Sequence, residues 1–97
     1  MVRRKTIFFP AKYKRYEEIV TFKNPKAAEG ASETLMREFD KAKTHDKKLR
    51  IARVTQLASN RAEASAEKTQ LSDRERKELR QVSAIYDSTA NDMFRKL

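Results

Sequence analysis

The 97-residue sequence contains no cysteine, one histidine, one glycine and two prolines. The lack of cysteine excludes disulfide frameworks, thiolate zinc sites and thiol chemistry, and it fits a reducing compartment. His45 alone supplies too few ligands for a transition-metal site, and we expect its side chain to be solvated in a loop. We therefore predict a cytoplasmic protein with no metal and no other cofactor.

Catalytic patterns are also missing. The sequence has no nucleophile with a base at an interpretable spacing, no glycine-rich phosphate loop and no carboxylate pair on an apolar background. The acidic residues between positions 73 and 78 alternate with basic ones, which is typical of a salt-bridged solvent face of a helix. We predict that the protein is not an enzyme and has no small-molecule substrate.

Long hydrophobic runs are absent as well. Residues 1–9 pass from a basic to an apolar stretch, a pattern similar to the start of a signal peptide. The apolar run ends at Pro10, well short of the about 7–15 residues that a signal peptide requires. No stretch approaches the about 20 apolar residues of a membrane-spanning helix. We therefore expect no membrane as a partner.

Charge is plentiful, and it is sorted into blocks. Residues 1–26 carry eight Lys/Arg against two acids, and residues 41–53 carry six against one. Residues 27–40 carry one against four, and residues 54–97 carry eight against seven, which gives the net charge of +9. Two concentrated positive blocks indicate an anionic partner, with DNA or RNA first among the candidates.

We predict a single domain overall, in which residues 25–97 form a body of three amphipathic helices, at about 25–43, 46–68 and 72–96. Asn24 and Pro25 predict a helix start, with the asparagine as N-cap and the proline at the first helical position. Ser72 and Glu75 predict a capping box at the third helix. Short links between such helices favour a mainly α protein, specifically an antiparallel three-helix bundle. Apolar or small residues recur at helical spacing in all three segments: Ala28, Ala31, Leu35, Phe39, Ala42, Ile51, Val54, Ala58, Ala62, Leu79, Val82, Tyr86, Ala90, Met93 and Leu97.

Two details of these helices stay open. Thr44 offers an N-cap for the second helix, but no glycine or proline breaks the chain there, so one continuous helix over 25–68 is the alternative. Gly30 lies inside the first helix, where glycine is unfavourable by about 1 kcal/mol relative to alanine. We expect another backbone to approach closely at this position.

Residues 1–24 form a basic-aromatic arm, because both prolines and five of the eight aromatic residues fall within the first 25 positions. The arm is either extended or a short β-hairpin of residues 6–9 and 16–22, which are rich in aromatic and β-branched residues. A short helix over 11–20 is the other alternative.

The second basic block is the first candidate nucleic-acid site. If a helix starts near Thr44, several of its cations lie where the helix dipole is already positive, so they do not stabilise that helix. A phosphate at this helix start would meet side-chain charge and backbone N–H groups together. Alternatively, Glu33, Glu38 and Asp40 neutralise part of the block within the chain. The residues of the block are Lys41, Lys43, Lys47, Lys48, Arg50 and Arg53.

The arm is the second candidate, through Arg3, Arg4, Lys12, Lys14 and Arg15. These cations alternate with Phe8, Phe9, Tyr13 and Tyr16, as in proteins whose rings stack on the bases of a single strand. The other interpretation is that the rings cover one end of a small, alanine-rich bundle.

A homo-oligomer is the competing hypothesis for function. The small residues at 58, 62 and 65–66 and the long apolar stripe of the third helix suit helix packing, either within one chain or between two. In an antiparallel bundle we further expect Arg95 and Lys96 to lie near the second basic block, with the arm at the opposite end.

Overall fold

The computed structural model describes Tyr16, residues 18–68 and residues 70–97. Within this part the chain forms three α-helices and no strand: α1 (Pro25–Lys41), α2 (His45–Ala66) and α3 (Asp73–Lys96). The expectation of a mainly helical protein is confirmed. The proposed first strand, residues 6–9, lies outside the described residues, and residues 18–24 form a turn and an irregular segment.

Each helix begins at a polar cap that the sequence predicts. Asn24 Oδ1 accepts a hydrogen bond from the Ala27 N–H at 2.7 Å, and Thr44 Oγ1 accepts one from the Lys47 N–H at 3.1 Å. Ser72 and Glu75 form the predicted capping box, in which each side chain accepts a hydrogen bond from the other residue's N–H. The chain is extended at Ala42, so α1 and α2 are separate helices.

Contacts between the helices define their directions. Ser59 in the middle of α2 bonds to Ser83 of α3, while Ala66 at the end of α2 bonds to Arg76 near the start of α3. The two helices are therefore antiparallel, and they form the most extensive helix pair. Lys96 lies beside Asp40, so the C-terminal ends of α1 and α3 lie together.

The α2–α3 contact is close because its residues are small. Ala52, Ala58, Ala62 and Ala66 of α2 are all buried. Between them, Ser59 Oγ donates to the Ser83 carbonyl and Ser83 Oγ donates to the Ser59 carbonyl, both at 3.0 Å. Each buried hydroxyl is thus satisfied across the contact, and satisfied hydrogen bonds of this kind contribute about 0.5–1.5 kcal/mol each.

Larger side chains fill the core where α1 packs against the other two helices. Fully or almost fully buried are Leu35, Phe39, Ile51, Val82, Tyr86 and Met93. Gly30 is not part of this packing, because it is exposed and an added Cβ would meet no atom within 4 Å. The expected close approach of another backbone at Gly30 is therefore wrong.

Residues 18–24, which we call the lead-in, cross the helices before α1 starts. Tyr16 is 6% exposed and packs into the core, and Ile19 and Val20 pack against it. The Tyr86 hydroxyl donates to the Thr21 carbonyl at 2.7 Å and accepts from the Thr21 N–H at 2.9 Å. Burial raises the pKa of Tyr86 above its ordinary value of 10.0.

The lead-in covers the end of the molecule where α2 turns into α3. Its Phe22 ring meets Tyr86 edge to face, with the ring centroids 6.3 Å apart. Phe22 also lines a small pocket with Leu71 and Leu79. Core packing by arm aromatics is therefore confirmed for Tyr16, whereas Phe8, Phe9 and Tyr13 lie outside the described residues.

Candidate nucleic-acid interface

The second basic block lies where three helix ends meet: the last turn of α1, the first turns of α2 and the last turn of α3. We call this surface the basic end. Lys96 Nζ is 3.8 Å from Asp40 Oδ1 and 3.9 Å from Met36 Sδ. The expectation that the end of the third helix lies near the 41–53 block is thus confirmed.

Lys48 has a structural role at this end. Its Nζ donates to the Phe39 carbonyl oxygen at 2.8 Å and lies 4.6 Å from the centroid of the Phe39 ring. The carbonyls of the last helical turn carry partial negative charge, so an ammonium group there stabilises α1. This lysine therefore connects α2 to the end of α1, and its charge is engaged within the chain.

Two further cations of the block form ion pairs on their own helices. Arg50 Nη2 is 2.6 Å from Asp46 Oδ2, and Lys41 Nζ is 3.8 Å from Glu38 Oε2. Each pair has one well-exposed partner, and ion pairs in contact with solvent contribute at most about 1 kcal/mol. They nevertheless reduce the positive charge that Lys41 and Arg50 present to a partner.

Lys43, Lys47 and Arg53 make up the rest of the block. All three side chains are exposed. In the part of the chain that the structure describes, none of them has an ion pair or a side-chain hydrogen bond. Lys47, Arg50 and Arg53 follow one another at steps of three residues, so neighbours along this series are adjacent on the helix surface. The exposed positive charge therefore extends over the first three turns of α2.

The arm residues Arg3, Arg4, Lys12, Lys14 and Arg15 lie outside the described residues. The structure therefore gives no geometry for the second candidate site. Its interpretation rests on the alternation of cations and aromatic rings in the sequence alone.

Arg76 has a structural role that sequence reasoning missed. At the lead-in end its Nε donates to the Ala66 carbonyl at 3.0 Å, and its Nη2 donates to the Lys68 carbonyl at 2.9 Å. The last turn of α2 contains no basic residue of its own. That absence was a signal that a cation from elsewhere in the fold could stabilise the end of α2.

Phe94 is an aromatic surface residue that sequence reasoning did not single out. It is 39% exposed, while the adjacent Met93 is fully buried. Leu97, one turn further, is 38% exposed. The basic end thus carries exposed apolar groups as well as cations.

The described residues contain no cluster of three or more histidine, cysteine or acidic side chains that could hold a metal ion. His45 is exposed at the first position of α2 rather than in a loop. None of the helices in the described ranges combines the length and the apolar character needed to cross a membrane. No protein-family model matches the chain, and neither a curated protein nor a solved structure matches it.

Proposed function

We propose that the protein is a non-catalytic nucleic-acid-binding protein that recognises the phosphate backbone with weak sequence selectivity. Lys43, Lys47 and Arg53 at the basic end are the principal contacts, and the cations of the arm add to them. The observation that supports this proposal is that these three exposed side chains have no acidic partner in the described residues. DNA and RNA fit this backbone recognition equally.

Among the described helices, electrostatics favour this surface over the opposite end. Lys47 lies in the first turn of α2, where the helix dipole is positive and a lysine does not stabilise the helix. Residues 73–80, at the other end of the molecule, carry four cations against three acids, whereas residues 41–53 carry six against one. A polyanion therefore meets a stronger positive field at the basic end.

Salt-dependent binding provides the test. We would replace Lys43, Lys47 and Arg53 together by glutamine and measure affinity for a labelled DNA duplex at several salt concentrations. Each phosphate contact contributes about 0.9 to the slope of log affinity against log salt, so the slope should decrease in magnitude by about 2.7. The matched control replaces Arg74, Lys77 and Arg80 by glutamine, which removes the same charge from α3.

The control variant should retain most of the wild-type slope. If both triple variants lose affinity equally, the binding reflects net charge and the assignment to the basic end is wrong. If the wild-type protein binds neither duplex nor single strands at low salt, the proposed function is wrong. Circular dichroism of both variants checks that the helices are intact.

Self-association is a second candidate, and one specific observation favours it. Leu57 is 39% exposed on the outer face of α2, and the exposed Phe94 and Leu97 add apolar surface at the basic end. The small-residue stripe of α2, in contrast, packs against α3 within one chain. Sedimentation at increasing protein concentration tests this candidate, since a constant monomer mass would exclude it.

A further inference from the structure

Phe94 lies beside the first turn of α2, as the helix register shows. Ser59 and Ser83 contact each other across the α2–α3 pair. Lys48 precedes Ser59 by eleven residues, and Phe94 follows Ser83 by eleven. Eleven residues make about three helical turns, so Lys48 and Phe94 lie on the mutually facing sides of α2 and α3 and at the same height.

Phe94 is more exposed than Ser83, which lies on the same side of α3. Ser83 and Arg76 lie on the same side of α3 and contact α2, and Ser83 is buried. Phe94, at the other end of that row, is 39% exposed. A partly exposed aromatic ring at a basic surface is a place on which a planar group can stack.

Cations lie near Phe94 on both helices. In the adjacent turn of α2 Lys47 is exposed, whereas Lys48 is engaged by Phe39. On α3, Arg95 and Lys96 follow Phe94, and Lys96 reaches toward Asp40 and Met36 of α1. The ion pairs of Arg95 with Asp92 and of Lys96 with Asp40 are both solvent-exposed and therefore weak. Phosphates can therefore compete with these pairs at little energetic expense.

We infer that the basic end binds single-stranded nucleic acid in preference to duplex, with one base stacked on Phe94 and the flanking phosphates near Lys47 and Arg95. This inference rests on the proposed function. In a duplex the faces of the bases are covered by their neighbours, whereas an unpaired base offers its face to an aromatic side chain. An anionic lipid surface fits less well, because among the described residues this end exposes just two large apolar side chains, Phe94 and Leu97.

The absence of tryptophan from the chain permits a direct test. In a Phe94→Trp variant the substituted side chain is the single indole reporter, and stacking of a base quenches its fluorescence. We expect oligothymidine to quench the emission strongly, and a duplex of the same length to quench it little. The matched control is Leu57→Trp, at a position of equal exposure on α2, where oligothymidine should leave the emission unchanged.

Affinity measurements separate stacking from general apolar contact. Phe94→Leu should weaken oligothymidine binding by about tenfold or more, because stacking on one base contributes substantially to such affinities. Phe94→Tyr should retain the wild-type affinity, and duplex binding should change by less than about twofold in both variants. Thermal unfolding of each variant controls for a loss of structure.

Each other outcome contradicts the inference in a distinguishable way. If the Lys43/Lys47/Arg53 variant loses binding but Phe94→Leu does not, the proposed function stands and the role of Phe94 is wrong. If Phe94→Leu reduces binding to phosphatidylserine vesicles and not to oligothymidine, the partner is a lipid surface. If it abolishes a concentration-dependent dimer and leaves oligothymidine binding unchanged, the partner is a second copy of the chain.

Discussion

At both ends of the helix assembly, a basic side chain binds the carbonyl groups at the end of a neighbouring helix. The two ends differ in the charged and aromatic side chains that stay exposed. At the lead-in end Arg76 of α3 binds carbonyls at the end of α2, and at the basic end Lys48 of α2 binds a carbonyl at the end of α1. In both cases a cation from the next helix compensates the negative end of the preceding helix. The lead-in end is then covered by residues 18–24, and the helix that begins there carries four cations against three acids over residues 73–80.

The basic end is not covered by residues 18–24, and its charge is not balanced. After Lys48, Arg50 and Lys41 have found partners, Lys43, Lys47 and Arg53 remain exposed, and Phe94 remains partly uncovered. The basic block therefore contains cations that are engaged within the chain and cations that are not, and composition does not distinguish the two groups. Those that stabilise helix ends contribute to folding, and those that remain form the candidate interface.

The largest effect is expected at the lead-in end, from Tyr86→Phe. The substitution removes both hydrogen bonds between the Tyr86 hydroxyl and the backbone of Thr21. We expect a loss of about 1–3 kcal/mol in the free energy of unfolding, because two partly buried backbone groups lose their partner. Urea unfolding measures this change. Thr89→Val, which removes a hydroxyl bonded only within α3, should have a much smaller effect.

The same variant gives a prediction for pH. Because the folded state raises the pKa of Tyr86 above 10.0, the unfolded chain releases this proton first as pH rises. The contribution of Tyr86 to stability is therefore complete below pH 10 and is lost at higher pH. Between neutral and strongly alkaline pH, the free energy of unfolding should decrease less in Tyr86→Phe than in the wild type. Parallel plots of unfolding free energy against pH for the two proteins would contradict this.

Arg76→Met should produce the next largest loss, also at the lead-in end. Methionine keeps an apolar stem of similar length but cannot donate to the Ala66 and Lys68 carbonyls. We expect a loss of about 1–2 kcal/mol in the free energy of unfolding, since hydrogen bonds from a charged donor are stronger than neutral ones and this site is partly exposed. Arg74→Met is the control, because Arg74 makes only an exposed pair with Glu78. Equal losses in the two variants would remove the proposed role of Arg76.

A smaller effect should separate two adjacent lysines at the basic end. Lys48→Met removes the contacts with the Phe39 carbonyl and ring, and we expect a loss of about 1 kcal/mol in stability. Lys47→Met should leave stability unchanged within about 0.5 kcal/mol and should weaken nucleic-acid binding more than Lys48→Met does. Thermal unfolding and binding assays on both variants check this division of roles. The assignment is wrong if Lys47→Met lowers stability and Lys48→Met weakens nucleic-acid binding more.

The smallest effect is expected at Gly30, on the exposed side of α1 between the two ends. Gly30→Ala should raise the free energy of unfolding by about 0.5–1 kcal/mol, because alanine favours the helix and its Cβ meets no neighbouring atom. Chemical denaturation measures the gain. A decrease would indicate that another group approaches Gly30 closely after all. Nucleic-acid binding should remain at the wild-type level.

Local signals in the sequence predicted the starts of α1 and α3, whereas the break between α1 and α2 stayed open until the structure showed the extended backbone at Ala42. The caps at Asn24, Thr44 and Ser72 depend on a side chain and an N–H only three residues apart, so their geometry is contained in the sequence. The apolar spacing of α1 and α3 likewise predicted Leu35, Phe39, Tyr86 and Met93 as core residues. The expectation at Gly30 failed because glycine is compatible both with close packing and with open solvent.

The candidate site was only partly predictable, because the same residue type can occupy different environments. The sequence located a basic block at 41–53, but it could not distinguish Lys47 from Lys48, whose side-chain chemistry is identical. Their different roles follow from the position of the Phe39 carbonyl, nine residues away from Lys48. That position depends on the conformation of the connection between α1 and α2.

The sequence by itself determined where charge, small residues and helix caps occur, because these depend on residue type and on spacing within one turn. The packing of the helices decided which cations are engaged at helix ends and which remain exposed. It also left Phe94 partly exposed at the basic end and placed the Tyr86 hydroxyl against Thr21, 65 residues away. Contacts at such separations depend on the register of whole helices, which no local pattern in the sequence specifies.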